Sequence, residues 1–267
     1  MSVVRSSDGT SIAYEKVGQG PAVVLVDGGF AYRAIDPWAG MFAGALADRH
    51  TVYTYERRGR GESGNTEPYA KEREIEDLAA IIAEAGGSAA VLGLSSGGVL
   101  CLDAAAAGLP ITHLAVYEAP VIVDDSHAPR PDDYLAQAKQ ILAEGRSGDA
   151  VAYAMTTTFF MPEEDVAAMR AEPWFGAMEA VAHTVAYDGE IMDGLMSGKP
   201  LPEDRWNSST VKTLVIYGGA SEQWVHNGAK SLADVLPVSH GTECLDGQNH
   251  DVDANLLAET VAKFIAS

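Results

Sequence analysis

Cysteine is nearly absent: Cys101 and Cys244 are the two in 267 residues. They form no metal-binding motif and are read as buried, reduced packing residues. Basic residues are scarce as well. Lys and Arg total 18 against 38 Asp and Glu, a formal net charge of −20. Nucleic acid and anionic membrane surfaces both call for basic patches, so neither is an expected partner, and the acidity is read as a solubility feature. No stretch is long and apolar enough to span a bilayer. The segment from Met1 to Asp8 lacks an apolar signal core, so a cytoplasmic location is expected. Repeats and low-complexity tracts are missing too. Oligomeric state is not readable from the sequence.

What is present is an alternation. The length suits one α/β domain with an insertion, large enough to bury a sizeable core. Val3 to Arg5 and Ser11 to Val17 flank Asp8-Gly9, a hairpin signal. Apolar strands are expected at Ala22 to Val26, Thr51 to Tyr55, Ala89 to Leu92, Ile111 to Tyr117, Val211 to Tyr217 and Gly241 to Leu245. Between them lie helical patterns at Trp38 to Ala47, Lys71 to Ala85, Gly98 to Ala107, Trp224 to Leu236 and Val252 to Ile265. Strands alternating with helices imply a mostly parallel, doubly wound sheet with helices on both faces.

One block breaks the alternation. Residues 121–208 contain helical stretches at Tyr134 to Ala143, Asp149 to Phe160, Glu163 to Ala171 and Phe175 to Val185, and no convincing strand. The block is too long for a loop and is read as a helical lid inserted into a core domain of residues 1–120 and 209–267. Met155, Phe159, Phe160, Met161, Trp174, Phe175, Met178, Met192 and Met196 suggest an apolar roof over a pocket.

Gly93-Leu94-Ser95-Ser96-Gly97 joins a buried strand to an alanine-rich helix. A G-x-S-x-G sequence in that context is a nucleophile elbow: the glycines allow a sharp turn, and the turn presents the serine hydroxyl above the sheet. The helix N-terminus beneath Ser95 favours negative charge there.

Together these marks resemble the α/β-hydrolase superfamily over nearly the whole chain. They are the elbow at Ser95, Asp27-Gly28-Gly29 after the third strand, the Arg57 to Ser63 loop after the fourth, the helical insertion, and Gly247-Gln248-Asn249-His250 after the last strand. The resemblance implies an α/β-hydrolase fold and a catalytic histidine in the loop before the final helix, which is His250. The other six histidines, His50, His113, His127, His183, His226 and His240, are read as structural. It also implies an oxyanion hole from the backbone N–H groups of Ser96 and Gly29, with Gly28 the alternative donor in a shifted register. The Arg57 to Ser63 loop is read as a tight turn with arginines in surface pairs. Tyr32 and Arg33 are possible pocket residues.

The third member departs from the common pattern. Most relatives carry an aspartate after the penultimate strand, but Gly218-Gly219-Ala220-Ser221-Glu222 contains none. One register puts Ser221 at that position and another puts Glu222 there. The other candidate is Glu118, at the carboxyl end of a central strand, where a carboxylate is costly to bury unless paired. Some branches place the acid there, among them zearalenone-type lactonases, which also share the Ser-Ser-Gly elbow and an Asp-Gly oxyanion segment. Glu118 is therefore the expected acid and Glu222 the alternative.

The expected activity is serine hydrolysis of a carboxylic ester or lactone of an apolar small molecule, without metal or organic cofactor. A serine nucleophile argues against the epoxide hydrolases and haloalkane dehalogenases, which need a carboxylate there. Carbon–carbon bond hydrolysis or a lyase reaction with the same triad is the alternative within enzymes. A non-catalytic small-ligand receptor on the same fold is the alternative from another class.

Overall fold

A computed structural model describes residues 1–267. Eight strands form one sheet in the order β1-β2-β4-β3-β5-β6-β7-β8. The hairpin β1 (Ser2–Arg5) and β2 (Ser11–Gly18) is antiparallel to its neighbours, and the remaining strands are parallel to one another. These are β3 (Ala22–Val26), β4 (Thr51–Tyr55), β5 (Ala89–Leu94), β6 (Ile111–Tyr117), β7 (Lys212–Gly218) and β8 (Ser239–Leu245).

The central strands read as continuous apolar runs because both faces are covered, as parallel sheets require. Side chains alternate between the faces with a period of two. In β3, Val23 and Leu25 join Phe42, Leu46, Leu257 and Val261 on one side. Those partners belong to α1 (Trp38–Leu46) and α10 (Ala254–Ile265). Val24 and Val26 face the opposite way, toward Leu78, Ile82, Val99, Leu102 and Leu232. These lie on α2 (Lys71–Glu84), α3 (Ser96–Ala106) and α9 (Gln223–Val235).

Between β6 and β7 the chain forms α4 (Tyr134–Ala143), α5 (Ser147–Thr157), α6 (Glu163–Arg170), α7 (Phe175–Ala180) and α8 (Thr184–Ile191), with no strand. This block has its own core, in which Tyr134, Val151, Met155, Phe175, Met178 and Val185 pack with Phe30 from the loop after β3. Of the residues expected to form a roof, Met155, Phe175 and Met178 are in that core. Met192 and Met196 join the sheet core, and Trp174 is exposed.

Two expectations change here. The single helix expected over 175–185 is two helices, broken where Thr184 donates its N–H and hydroxyl to Val181 O, at 2.9 and 2.8 Å. The break turns α8 inward, so Asp188 and Gly189 are buried although neither favours a helix interior. Cys101 is buried but Cys244 is exposed; it lies on the edge strand β8, where Leu245 alone is buried. No helix is long and apolar enough to cross a membrane.

Candidate active site

Ser95 stands between β5 and α3 with φ +50° and ψ −125°. Such a conformation costs a non-glycine residue roughly 1–3 kcal/mol and persists only where its surroundings enforce it. Here they do. The Ser95 N–H donates to Tyr117 O at 2.9 Å, and the Gly98 N–H donates to Ser95 O at 2.9 Å. A Cβ on Gly93 would lie 2.6 Å from Gly98 Cα, and one on Gly97 would lie 2.4 Å from Asp27 O. The two glycines of the pentapeptide are thus required by close backbone approach. Because α3 starts at Ser96, two residues earlier than the periodicity suggested, the Ser96 N–H falls among the first-turn donors that lack an intrahelical partner.

Glu118 follows β6 with φ +45° and is 5 % exposed. Its Oε2 lies 2.9 Å from His250 Nδ1. Its Oε1 accepts from the Gly218 N–H at 2.9 Å and from the Ser221 hydroxyl at 2.5 Å. Burial pushes this carboxyl upward, but the hydrogen bonds from His250, Ser221 and Gly218 outweigh it and leave the group below the usual carboxylate range. The His250 ring is half exposed, in the loop between β8 and α10. That loop is pinned from the sheet: Tyr117 donates its hydroxyl to Asn249 O, and Ala220 donates its N–H to Gln248 O at 2.8 Å.

The other acid candidate lines the same cavity but is not hydrogen-bonded to His250. Glu222 caps the start of α9, and its Oε2 accepts from Trp224 Nε1 at 2.9 Å. Ser221, which one register puts at the common acid position, instead serves the carboxylate from the neighbouring strand.

A cavity of about 530 Å³ brings Ser95, Ser96, Glu118, His250 and Gly29 together. Phe30, Ala154, Phe159, Met161, Val185 and Met192 supply apolar wall. Gly28 packs directly on the serine: a Cβ there would lie 2.9 Å from Ser95 Cβ. Tyr32 and Arg33 do not line the cavity. Tyr32 donates its hydroxyl to Ala177 O at 3.0 Å, and Arg33 pairs with Glu15 and Glu62 at the surface. No three His, Cys, Asp or Glu side chains converge as a metal-ligand set.

The arginine loop is not a surface feature. Arg57, Arg58 and Arg60 are at most 1 % exposed. Arg57 forks onto Glu74 at 2.7 and 2.9 Å and reaches Asp188 at 2.8 Å. Arg60 meets the other Asp188 oxygen at 2.7 Å and donates to Gly28 O. Arg58 forks onto Asp77, both contacts at 2.7 Å. Guanidinium groups survive such burial because planar, bidentate carboxylate partners meet them. Asp188 also accepts from the Ser96 hydroxyl at 2.8 Å. The network therefore ties the glycine turn and the start of α3 to the helical block.

Asp188 went unread in the sequence. The available signal was three arginines in four residues after a central strand, which require acids from somewhere. Burial raises the Asp188 carboxyl, but Arg60, Arg57 and Ser96 draw it below the ordinary value. Its contribution to stability is therefore complete at neutral pH and is lost only as the pH falls through the acid range. Replacing Asp188 by Asn leaves two buried guanidinium groups short of a charge. The expected loss is about 3–5 kcal/mol in denaturant unfolding at pH 7, shrinking toward pH 3. An unchanged midpoint would show that the network is not held by this charge.

Residues 23–263 match the family model described as the alpha/beta hydrolase family. An alpha/beta hydrolase from Sphaerobacter thermophilus DSM 20745 is 49 % identical, with 98 % of this chain and 99 % of that one covered and a TM-score of 0.88. The enol-lactonase from Burkholderia xenovorans LB400 superposes with a TM-score of 0.71 over 100 % of both chains at 20 % identity, a likeness of fold alone. Among curated proteins, the uncharacterized hydrolase YraK of Bacillus subtilis (strain 168) is 31 % identical over 140 residues, 51 % of this chain. That match spans 49 % of the length of YraK.

Proposed function

The chain belongs to the alpha/beta hydrolase family, and from that premise we propose that it is a serine hydrolase cleaving a carboxylic ester or lactone of an apolar small molecule. The observation that carries this reading is the Glu118–His250 contact at 2.9 Å in the cavity that also holds Ser95 on its strained turn.

The chemistry follows from the atoms. Glu118 Oε2 accepts the Nδ1 proton of His250, which leaves Nε2 as the basic nitrogen. Nε2 takes the Ser95 hydroxyl proton as Oγ attacks the substrate carbonyl carbon. The carbonyl oxygen becomes an alkoxide against the N–H groups of Ser96 and Gly29, where fixed dipoles act in a low-dielectric setting. Collapse expels the alcohol, protonated by the imidazolium, and leaves an acyl-Ser95 ester. His250 then takes a proton from water, whose oxygen attacks that ester, and the acid departs with Ser95 restored. Throughout, Glu118 fixes the tautomer and stabilises the imidazolium without being protonated.

In this reading residues 121–208 act as the lid, and the part of the block that lines the cavity selects the substrate. Apolar walls favour an apolar acyl or alcohol group, each buried side chain contributing roughly 1.5–3 kcal/mol when covered. Hydrolysis of p-nitrophenyl esters is expected to rise from acetate to longer chains, and apolar lactones are expected to open to hydroxy acids. Product analysis by mass spectrometry checks this. A preference for charged or sugar-bearing esters, or products of carbon–carbon cleavage, would contradict it.

A further inference from the structure

Two arginines of the buried network reach backbone as well as carboxylates, and both reach the glycine turn after β3. Arg60 Nη1 donates to Gly28 O, and Arg57 Nη1 donates to Asp27 O at 3.4 Å. Neither side chain takes part in acyl transfer itself. The reaction does need the Gly29 N–H, and Gly28 O belongs to the same peptide unit. That unit is trans, so its carbonyl and its N–H share a plane and point opposite ways. Holding the carbonyl therefore aims the N–H. Gly29 lines the cavity, and its N–H donates to no other group of the protein. A buried cation thus sits on the oxygen of this peptide while its hydrogen is left free at the cavity. A charged donor on a carbonyl polarises the whole amide, which makes its N–H a stronger donor, and a low-dielectric interior enlarges the effect.

The helical block holds the same arginine. Asp188 on α8 accepts from Arg60 on Oδ2 at 2.7 Å. Its Oδ1 accepts from Arg57 and from the Ser96 hydroxyl, both at 2.8 Å. Ser96 supplies the second N–H of the oxyanion hole. A Cβ on Gly29 would lie 3.4 Å from Asp188 Oδ2, so the carboxylate packs against the turn itself. One carboxylate from the helical block therefore anchors the residues behind both donors. Glu74 balances the second guanidinium. The cluster of two arginines and two carboxylates presents an oriented donor to the turn and no net charge.

We propose that Arg60 is a positioning residue for the oxyanion hole: it orients and polarises the Gly28–Gly29 peptide, and Asp188 couples that setting to the helical block. The inference rests on the serine hydrolase reading, because a stronger Gly29 N–H matters only where an alkoxide forms against it. Its effect falls on the transition state, where the charge develops, and so on kcat rather than KM.

The test compares two double variants, each of which removes one charge of each sign. Arg60→Met with Asp188→Asn takes the guanidinium off Gly28 O. Arg58→Met with Asp77→Asn removes a neighbouring buried pair that touches neither the glycine turn nor Ser96. Neutralising both members of a buried pair is tolerated far better than removing one. Each protein is reacted with an alkyl trifluoromethyl ketone, which Ser95 converts to a hemiketal, and the fluorine resonance is followed against pH. In the Arg60 double variant the hemiketal oxyanion should titrate about one pH unit or more above its wild-type position. In the same variant kcat should fall by about tenfold to a hundredfold with KM changed by less than about threefold, since losing a whole oxyanion donor costs about 10²–10³. Arg60→Lys, which keeps the charge but not the planar fork, should lie between the two. The Arg58 double variant should titrate with the wild type even where its unfolding midpoint falls. The titration belongs to the folded, reacted protein, so a smaller folded fraction does not mimic the shift. An Arg60 double variant that titrates with the wild type, or an Arg58 double variant that shifts equally, overturns the inference and leaves the hydrolase reading standing. A wild type that hydrolyses no ester and forms no hemiketal sinks both.

Discussion

Ser95→Ala is expected to lower kcat for ester hydrolysis by about 10⁴-fold or more, with KM changed by far less. Ser95 differs from the other two serines of the cavity in where its proton can go. Ser96 donates to Asp188 at 2.8 Å, and Ser221 donates to Glu118 at 2.5 Å. Both protons are committed to carboxylates that the imidazole does not displace. Ser95 alone of the three sits at the turn between β5 and α3, with its φ of +50° and the first-turn amides of α3 beside it. Steady-state kinetics with a matched circular dichroism spectrum checks this. A loss below about tenfold would mean that another group attacks the carbonyl.

Glu118→Gln is expected to lower kcat by about 10³-fold or more, following the precedent of a neutralised triad acid. The amide can offer its NH₂ to His250 Nδ1, which then needs the proton on Nε2, the nitrogen that must accept one from Ser95. The variant also removes the charge that stabilises the imidazolium. Glu222→Gln is expected to change kcat by less than about tenfold, because its carboxylate is engaged by Trp224 and not by His250. A reversed order of effects would transfer the acid role to Glu222.

Much of this was legible in the chain because the signals are local. Ala22 to Val26 and Ile111 to Tyr117 are apolar runs bounded by turns, so their strands and their order in the sheet follow from short-range pattern. The Glu118–His250 contact was readable for a different reason. A carboxylate ending a central apolar strand needs a partner, and the last loop offers an imidazole to the same sheet edge.

What stayed hidden depends on tertiary context. Arginines read as surface residues are buried because carboxylates distant in sequence, Glu74, Asp77 and Asp188, meet them. The inward turn of α8 rests on the Thr184 contacts to Val181, which helical periodicity does not register. The methionines and aromatics of residues 121–208 divide among three environments, the block's own core, the sheet core and the cavity wall. Composition alone cannot sort them, since all three demand the same residue types.

The central claim is that Ser95 carries the acyl group. A p-nitrophenyl alkylphosphonate, which traps an activated serine as a stable adduct, tests it in one step. Peptide mapping of the inactivated protein should show one adduct, on the peptide containing Ser95, with its appearance tracking the loss of activity. An adduct on another residue, or fully active protein that takes up no label, would contradict the account.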